Sequence, residues 1–251
     1  MKAVILAGGL GTRLQPYTFF IPKPMLPLGN KPLLEHIIEW LKSNRNSNFE
    51  VIDHIVLCVS YLHRTIEDYF EDGSRFGIKI EYARSERPLA TAGQLKTAEK
   101  LLDDTFVCLY GDSIYEFNLS NMINTHKESK AFISMALLSY KTKLKYGFID
   151  LDVQEGNNNG DSINSNRVTR WIEKPEVSGL INIGCYVIEP EFLKLIPMSS
   201  AFGMDDAVRK ALEQKRFVKG HKIVESGFID IGDKKSYLDA YKKYVDKLGK
   251  I

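Results

Sequence analysis

The sequence predicts an α/β chain in three layers, with a mostly parallel central sheet and helices on both of its faces. Three observations predict it. Apolar strand-like runs (Ala3 to Leu6, HIVLCVSY from His54, Ile78 to Tyr82, Thr105 to Tyr110) alternate with segments whose apolar residues recur at helical spacing. The first run breaks into Gly8, Gly9 and Gly11, a tight turn out of a strand. With 251 residues, 44% of them hydrophobic, the chain can bury a substantial core as one large domain, residues 1–251.

Taken in order, the opening strand and its glycine loop lead to a helix. Asn30 is expected to cap it, Pro32 to stand in its first turn, and Leu33, Leu34, Ile37, Ile38 and Leu41 to face the core. SNRNSNFEVID from Ser43 is polar and irregular. Helices over Arg64 to Phe70 and Thr91 to Leu102 then separate the three later strands. From Ala131 the character changes: ISMALLSY, YGFIDLD and VTRWIEK read as strands, and the Asn/Gly-rich tract Glu155 to Asn166 reads as a polar hairpin tip without a function of its own. Helices over Asp205 to Gln214 and Lys234 to Leu248 flank RFVKGHKIVESGFIDIGD.

Charge and composition exclude several classes of function. A net charge of +2 gives no general field for nucleic acid or an anionic membrane. No apolar run is long enough to span a bilayer, and Lys2 passes directly into a strand, so a soluble cytoplasmic protein is expected. Cys58, Cys108 and Cys185 each lie inside an apolar run, without metal-ligand spacing, and are expected to be buried reduced thiols.

The positive character is local. Between Lys2 and Lys31 there is no Asp or Glu, whereas Arg13 and Lys23 join the three glycines, so an anion is the natural guest. The dinucleotide fingerprint fails because Leu14 stands where its third glycine belongs, and the P-loop fails because Thr12 and Arg13 replace its Lys-Ser/Thr pair. Pro16, Pro22, Pro24 and Pro27 stiffen the next stretch, with Lys23 between two of them. In a parallel sheet, ligands bind at the carboxyl ends of the strands. Two features fall at such ends. The small-residue segment ERPLATAGQLKTAE either packs at a helix start or lets its backbone approach a flat ring. Asp112, just past FVCLYG, either caps a turn or offers a hard oxygen ligand to Mg²⁺.

The string LAGGLGTRLQPYT…PKPMLPLGNKPLL resembles the signature of the sugar-1-phosphate nucleotidyltransferases, or nucleotide-sugar pyrophosphorylases, and the likeness runs from Lys2 to about Tyr241. It implies a Rossmann-like nucleotidyltransferase fold with a mixed, mostly parallel sheet. Residues 1–130 would mainly bind nucleotide and residues 131–251 mainly sugar phosphate. The substrates implied are a nucleoside triphosphate and a sugar 1-phosphate, the products a nucleotide sugar and pyrophosphate. The resemblance assigns Leu6, Ala7, Gly8, Gly9, Gly11 and Thr12 to the triphosphate and Arg13 and Lys23 to its phosphates. ERPLATAG is similar to the family's LGTAG segment at the nucleobase, which brings in Glu86, Ala92 and Gly93, with Ala90 where that pattern usually has Gly. Asp112, in a GD dipeptide, and Asp230, in a closing D-x-G with Gly232, would be the Mg²⁺ ligands and, with Arg13 and Lys23, the catalytic set. Glu173 and Lys174 of WIEKPE, Gly147 and Asn182 would contact the sugar phosphate.

The implied nucleophile is a phosphate monoester, largely dianionic at neutral pH because its second pKa is about 6. It needs no general base, which agrees with five histidines that all lie outside the motifs. ERPLATAG leans toward guanylyl transfer to mannose-type phosphates, since Glu86 can accept from a guanine edge, while Gln94 can serve other bases. Uridylyl and thymidylyl transfer stay open, as does a silent nucleotide-sugar sensor. No repeated hexapeptide follows, so the expected form is the short one, without a left-handed β-helix. Relatives commonly assemble as dimers or tetramers, and a homo-oligomer is the corresponding expectation.

Overall fold

The computed structural model describes residues 1–44, 52–152, 167–224 and 227–248. The tract Glu155 to Asn166, expected to be a hairpin tip, lies outside them. The described chain runs β1 (Lys2–Leu6), β2 (Pro27–Leu28), β3 (Lys31–Pro32), α1 (Leu33–Ser43), β4 (His54–Val59), α2 (His63–Phe70), β5 (Lys79–Arg84), α3 (Ala90–Thr97), β6 (Phe106–Tyr110) and β7 (Ser113–Tyr115). It continues through α4 (Leu119–Ser129), β8 (Ile133–Lys143), β9 (Phe148–Leu151), β10 (Val168–Ile172), β11 (Glu176–Ile188), α5 (Met204–Glu213), β12 (Val218–Ile223), β13 (Phe228–Asp230) and α6 (Lys234–Leu248).

A seven-stranded sheet in the order β12-β8-β11-β6-β1-β4-β5 forms the centre. β1 pairs in parallel with both β4 and β6, and β4 with β5, whereas β11 runs antiparallel to β6, so the sheet is mixed and mostly parallel as expected. The apolar runs predict this directly, because a parallel strand covered on both faces has no polar side to show. Val4 and Leu6 of β1 and Val56 and Cys58 of β4 pack with Ala92 and Leu95 of α3 and Ala207 and Ala211 of α5. Alternation turns Ala3, Ile5, Ile55 and Leu57 to the other face, where they are fully buried. Each such Val, Leu or Ile contributes roughly 1.5–3 kcal/mol by leaving water. The three cysteines are free and buried, and burial pushes the Cys58 thiol up to about 12. No helix among the described residues is long and apolar enough to cross a membrane.

The chain divides into two compact units, Met1–Leu137 with Asn182–Ile251, and Leu138–Ile181. The second is built on the antiparallel pair β9 and β10, in which Phe148 faces Ile172 and Trp171 faces Ile149.

Two local expectations are corrected. Asn30 does not cap α1. It lies with Gly29 in the turn of the β2–β3 hairpin, and Pro32, extended at φ −63° and ψ 150°, precedes the helix without a side-chain cap. The first helical amide is served instead by the backbone, Leu33 N–H donating to the Leu26 carbonyl at 3.0 Å. The helix α4 was not anticipated, because its polar residues dilute the apolar spacing. It is started by Asn118, whose side-chain oxygen accepts the Asn121 N–H at 2.9 Å.

Candidate active site

A cavity of about 220 Å³ opens at the carboxyl ends of β1 and β6. Its walls are Leu6 and Ala7 at the end of β1, Gly9, Gly11, Thr12 and Arg13 from the loop, Lys23, Thr91 and Gln94 of α3, Tyr110 and Asp112 after β6, and Gly232.

The glycines of the loop differ in what they do. A Cβ on Gly9 would meet nothing within 4 Å, so its bareness keeps the backbone open to a guest. Gly11 is fixed at φ 62°, and a Cβ there would sit 2.9 Å from Thr18 Cγ2. The buried Thr18 hydroxyl in turn donates to the Gly11 carbonyl at 2.8 Å. Gly8 faces elsewhere: its N–H donates to Gln94 Oε1 at 3.1 Å, and a Cβ would crowd that oxygen.

Lys23 begins a tight 3-10 turn between Pro22 and Pro24, in which Met25 N–H donates to the Pro22 carbonyl and Leu26 N–H to that of Lys23. This stiff turn delivers the ammonium to Asp112, with Nζ 2.7 Å from Oδ2. The lysine is buried, although Asp112 stays partly exposed. Arg13 is exposed and forms no ion pair among the described residues.

Asp230 reaches the same place by strand pairing. β13 runs antiparallel to β7 with Asp230 opposite Ser113, which sets the second carboxylate beside the first. Burial, and after it the negative charge of Asp112, raises the Asp230 carboxyl above its ordinary value, against the opposing influence of Lys23 and Arg13. A Cβ on Gly232 would lie 2.8 Å from Asp230 Oδ2, so that glycine leaves room for the carboxylate. Among the described residues no group of three or more His, Cys, Asp or Glu gathers around one point. Asp112 and Asp230 are instead a two-carboxylate, oxygen-only pair. That donor set fits Mg²⁺, which takes one or two carboxylates and completes its shell with water and phosphate.

The sequence-assigned residues thus separate into groups. Leu6, Ala7, Gly9, Gly11, Thr12, Arg13, Lys23 and Asp112 line one cavity. Ala92 is buried in the core, and Gly93 packs against the following chain, its N–H donating to the Phe202 carbonyl at 3.0 Å and its missing Cβ clearing Ser200 O. Glu86 is exposed in a separate groove with Arg84, Arg87 and Ser199. Asn182 is two hydrogen bonds from the cavity: its Nδ2 donates to the Tyr186 hydroxyl at 2.5 Å, and that oxygen lies 3.1 Å from the hydroxyl of Tyr110. Sequence reasoning did not assign Thr91 or Tyr110. The available signals are that Thr91 lies within the small-residue segment and that Tyr110 directly precedes Gly111-Asp112.

Gly147, Glu173 and Lys174 belong to the second unit and meet within it. A Cβ on Gly147 would stand 3.1 Å from Glu173 Oε2, Trp171 donates to that same oxygen at 3.3 Å, and Lys174 Nζ lies 3.8 Å from Glu173 Oε1. Both charged side chains are well exposed.

The model of the nucleotidyl transferase family matches residues 2–247. The chain belongs to this family. Among nucleotidyl transferase relatives, a UTP–glucose-1-phosphate uridylyltransferase of Synechocystis is 34% identical over 222 residues, covering 81% of this chain and 53% of its own. A probable mannose-1-phosphate guanylyltransferase of rice is 33% identical over 260 residues, covering 100% of this chain and 66% of its own. The chain therefore spans between about half and two thirds of the length of these two relatives. Among solved structures, HddC from Yersinia pseudotuberculosis in complex with GMP-PN superposes with a TM-score of 0.69 at 26% identity, covering 97% of this chain and 99% of that one.

Proposed function

We propose that this nucleotidyl transferase joins a nucleoside triphosphate to a sugar 1-phosphate, forming a nucleotide sugar and releasing pyrophosphate, and that it does so with Mg²⁺. The observation that carries the reading is the Lys23–Asp112 pair at a cavity edged by an open glycine loop.

A phosphate oxygen of the sugar 1-phosphate attacks the α-phosphorus, and the bond from that phosphorus to the β-phosphate bridging oxygen breaks in line. The attacking oxygen is already anionic, and none of the five histidines lines the cavity, so the chain's task is positioning and charge balance. Backbone amides of the glycine loop beyond Gly8 and the Thr12 hydroxyl donate to triphosphate oxygens, Arg13 balances the departing pyrophosphate, and Lys23 offsets charge near the α-phosphorus. Asp112 and Asp230 would hold Mg²⁺, which when bound neutralises phosphate charge. Gly147, Glu173, Lys174 and Asn182 are the residues that the family likeness gives to the sugar phosphate in this reading. Guanylyl transfer to a mannose-type phosphate has the support of the rice relative's name and of HddC with GMP-PN. Uridylyl transfer to glucose 1-phosphate is a second reading, on the Synechocystis relative.

The test is pyrophosphate release with Mg²⁺ across five triphosphates and the 1-phosphates of glucose, mannose, galactose and N-acetylglucosamine. Turnover confined to one base with one or two sugars supports the proposal and names the product. Silence across the grid, with nucleotide-sugar binding that survives EDTA, replaces it with a sensor.

A further inference from the structure

The wall of the cavity carries two kinds of groups. Arg13, Lys23 and Asp112 are charged, while Leu6, Ala7, Thr91, Gln94 and Tyr110 are neutral. A triphosphate needs the charged groups, which leaves the neutral ones to its base. The polar groups among them are mostly committed. Thr91 Oγ1 accepts the Met204 N–H at 2.8 Å, and the Tyr110 hydroxyl lies 3.1 Å from that of Tyr186. Gln94 differs. It is 7% exposed, and the Gly8 N–H, 3.1 Å from Oε1, settles which way its amide points, since only the oxygen can accept. The Nε2 amide therefore points away from Gly8, and it makes no hydrogen bond among the described residues.

We propose that Gln94 reads the nucleobase as a locked donor, selecting triphosphates whose base carries a keto oxygen and rejecting those with an amino group at the same position. This rests on the nucleotidyl-transfer reading above. A keto oxygen accepts from Nε2, whereas an exocyclic amino group sets donor against donor and leaves both buried groups unpaired. The lock comes from Gly8, where any side chain would push against the amide oxygen.

The experiment measures dissociation constants of the purified protein with Mg²⁺ for two pairs that differ at the keto or amino edge, UTP against CTP and ITP against ATP. In whichever pair binds, the keto member is expected to bind about tenfold tighter or more, the worth of one hydrogen bond left unmade at a buried site. Gln94→Glu keeps an acceptor for Gly8 and replaces the donor by oxygen, so the preference should fall at least tenfold and move toward the amino member. Gln94→Met keeps the shape without either group and should erase the preference. Equal affinities within both pairs in the unaltered protein, or a ratio unmoved in Gln94→Met, overturn the proposal. If Gln94→Glu does not fold, as judged by circular dichroism, Gln94→Met decides. Keto-selective binding without pyrophosphate release from any sugar phosphate would sink the catalytic reading and leave this one standing.

Discussion

Lys23 Nζ stands 2.7 Å from Asp112 Oδ2, joining residues 89 apart in the chain. The contact combines the proline-stiffened turn and the end of β6 into one electrostatic unit, and Asp230 then arrives beside it. A cation so placed is organised before any phosphate enters, so its stabilisation is not spent on reorganisation.

Lys23→Met should therefore lower kcat by about 10²–10³-fold, the usual loss when one preorganised charge or donor is removed. Steady-state pyrophosphate release measures it. Lys23→Arg should recover only part of the rate, because a planar guanidinium does not fill a compact ammonium's place. Full activity in Lys23→Met would remove the pair from the mechanism.

Asp230 yields a prediction of opposite sign for stability and activity. Its carboxyl is raised by burial and by Asp112, so the folded chain binds this proton more tightly than the unfolded chain. The resulting stability is fully present below the ordinary carboxylate value and is lost as pH rises through the raised one. At neutral pH, without divalent cation, Asp230→Asn should raise Tm while lowering Mg²⁺-supported turnover at least about 10²-fold. Thermal melts with and without Mg²⁺ check both halves, and Mg²⁺ should stabilise the unaltered protein more than the variant.

His126 is fully buried in α4, with Nδ1 2.9 Å from Ser134 Oγ and Nε2 2.9 Å from Glu189 Oε1. Burial lowers its pKa, with Glu189 opposing. A lowered histidine contributes stability above its ordinary value of 6.5 that is lost as pH falls below it, because the unfolded chain takes up the proton first. Urea unfolding from pH 7.5 to 5 should show this loss, and His126→Gln should flatten it. The same substitution should cost about 1–3 kcal/mol at pH 7.5 by disturbing buried partners.

Ala90 begins α3 at φ 55°, a left-handed conformation that costs a residue with a Cβ roughly 1–2 kcal/mol. Ala90→Gly should stabilise the chain by up to about 1 kcal/mol, the relief of strain being reduced by glycine's greater unfolded freedom. Chemical denaturation checks it. A loss of stability would mean that the helix start is not strained.

The legible part of this molecule was its local chemistry. Strands β1, β4, β5 and β6 announce themselves because two buried faces demand unbroken apolar runs, and Asp112 is visible as the first charge past one of them. Gly11 was legible as a glycine without its reason, the Thr18 methyl that a Cβ would meet. What composition and spacing alone could not give was register. Asp230 faces Ser113 through two strands of three residues each, a pairing that no periodicity encodes, so the partnership of the carboxylates came from family likeness. The sequence groups Gly8 with its neighbours as a phosphate donor, yet its amide is taken by a glutamine 86 residues away. Tyr110 carries no motif, and Thr91 lies within ERPLATAG without a role assigned to it; both reach the cavity because β6 ends and α3 begins at its wall.

The late position of Asp230 also ties the site to the elements around it in sequence. All seven strands of the central sheet precede Asp230 in the chain, yet α6 behind it is no bystander: its Tyr237 and Ala240 pack with Leu14, Leu26 and Leu28, and the Tyr237 hydroxyl donates to the Pro27 carbonyl at 2.8 Å. A chain cut before β13 therefore loses one of the two carboxylates together with the helix that packs against the segment carrying Lys23.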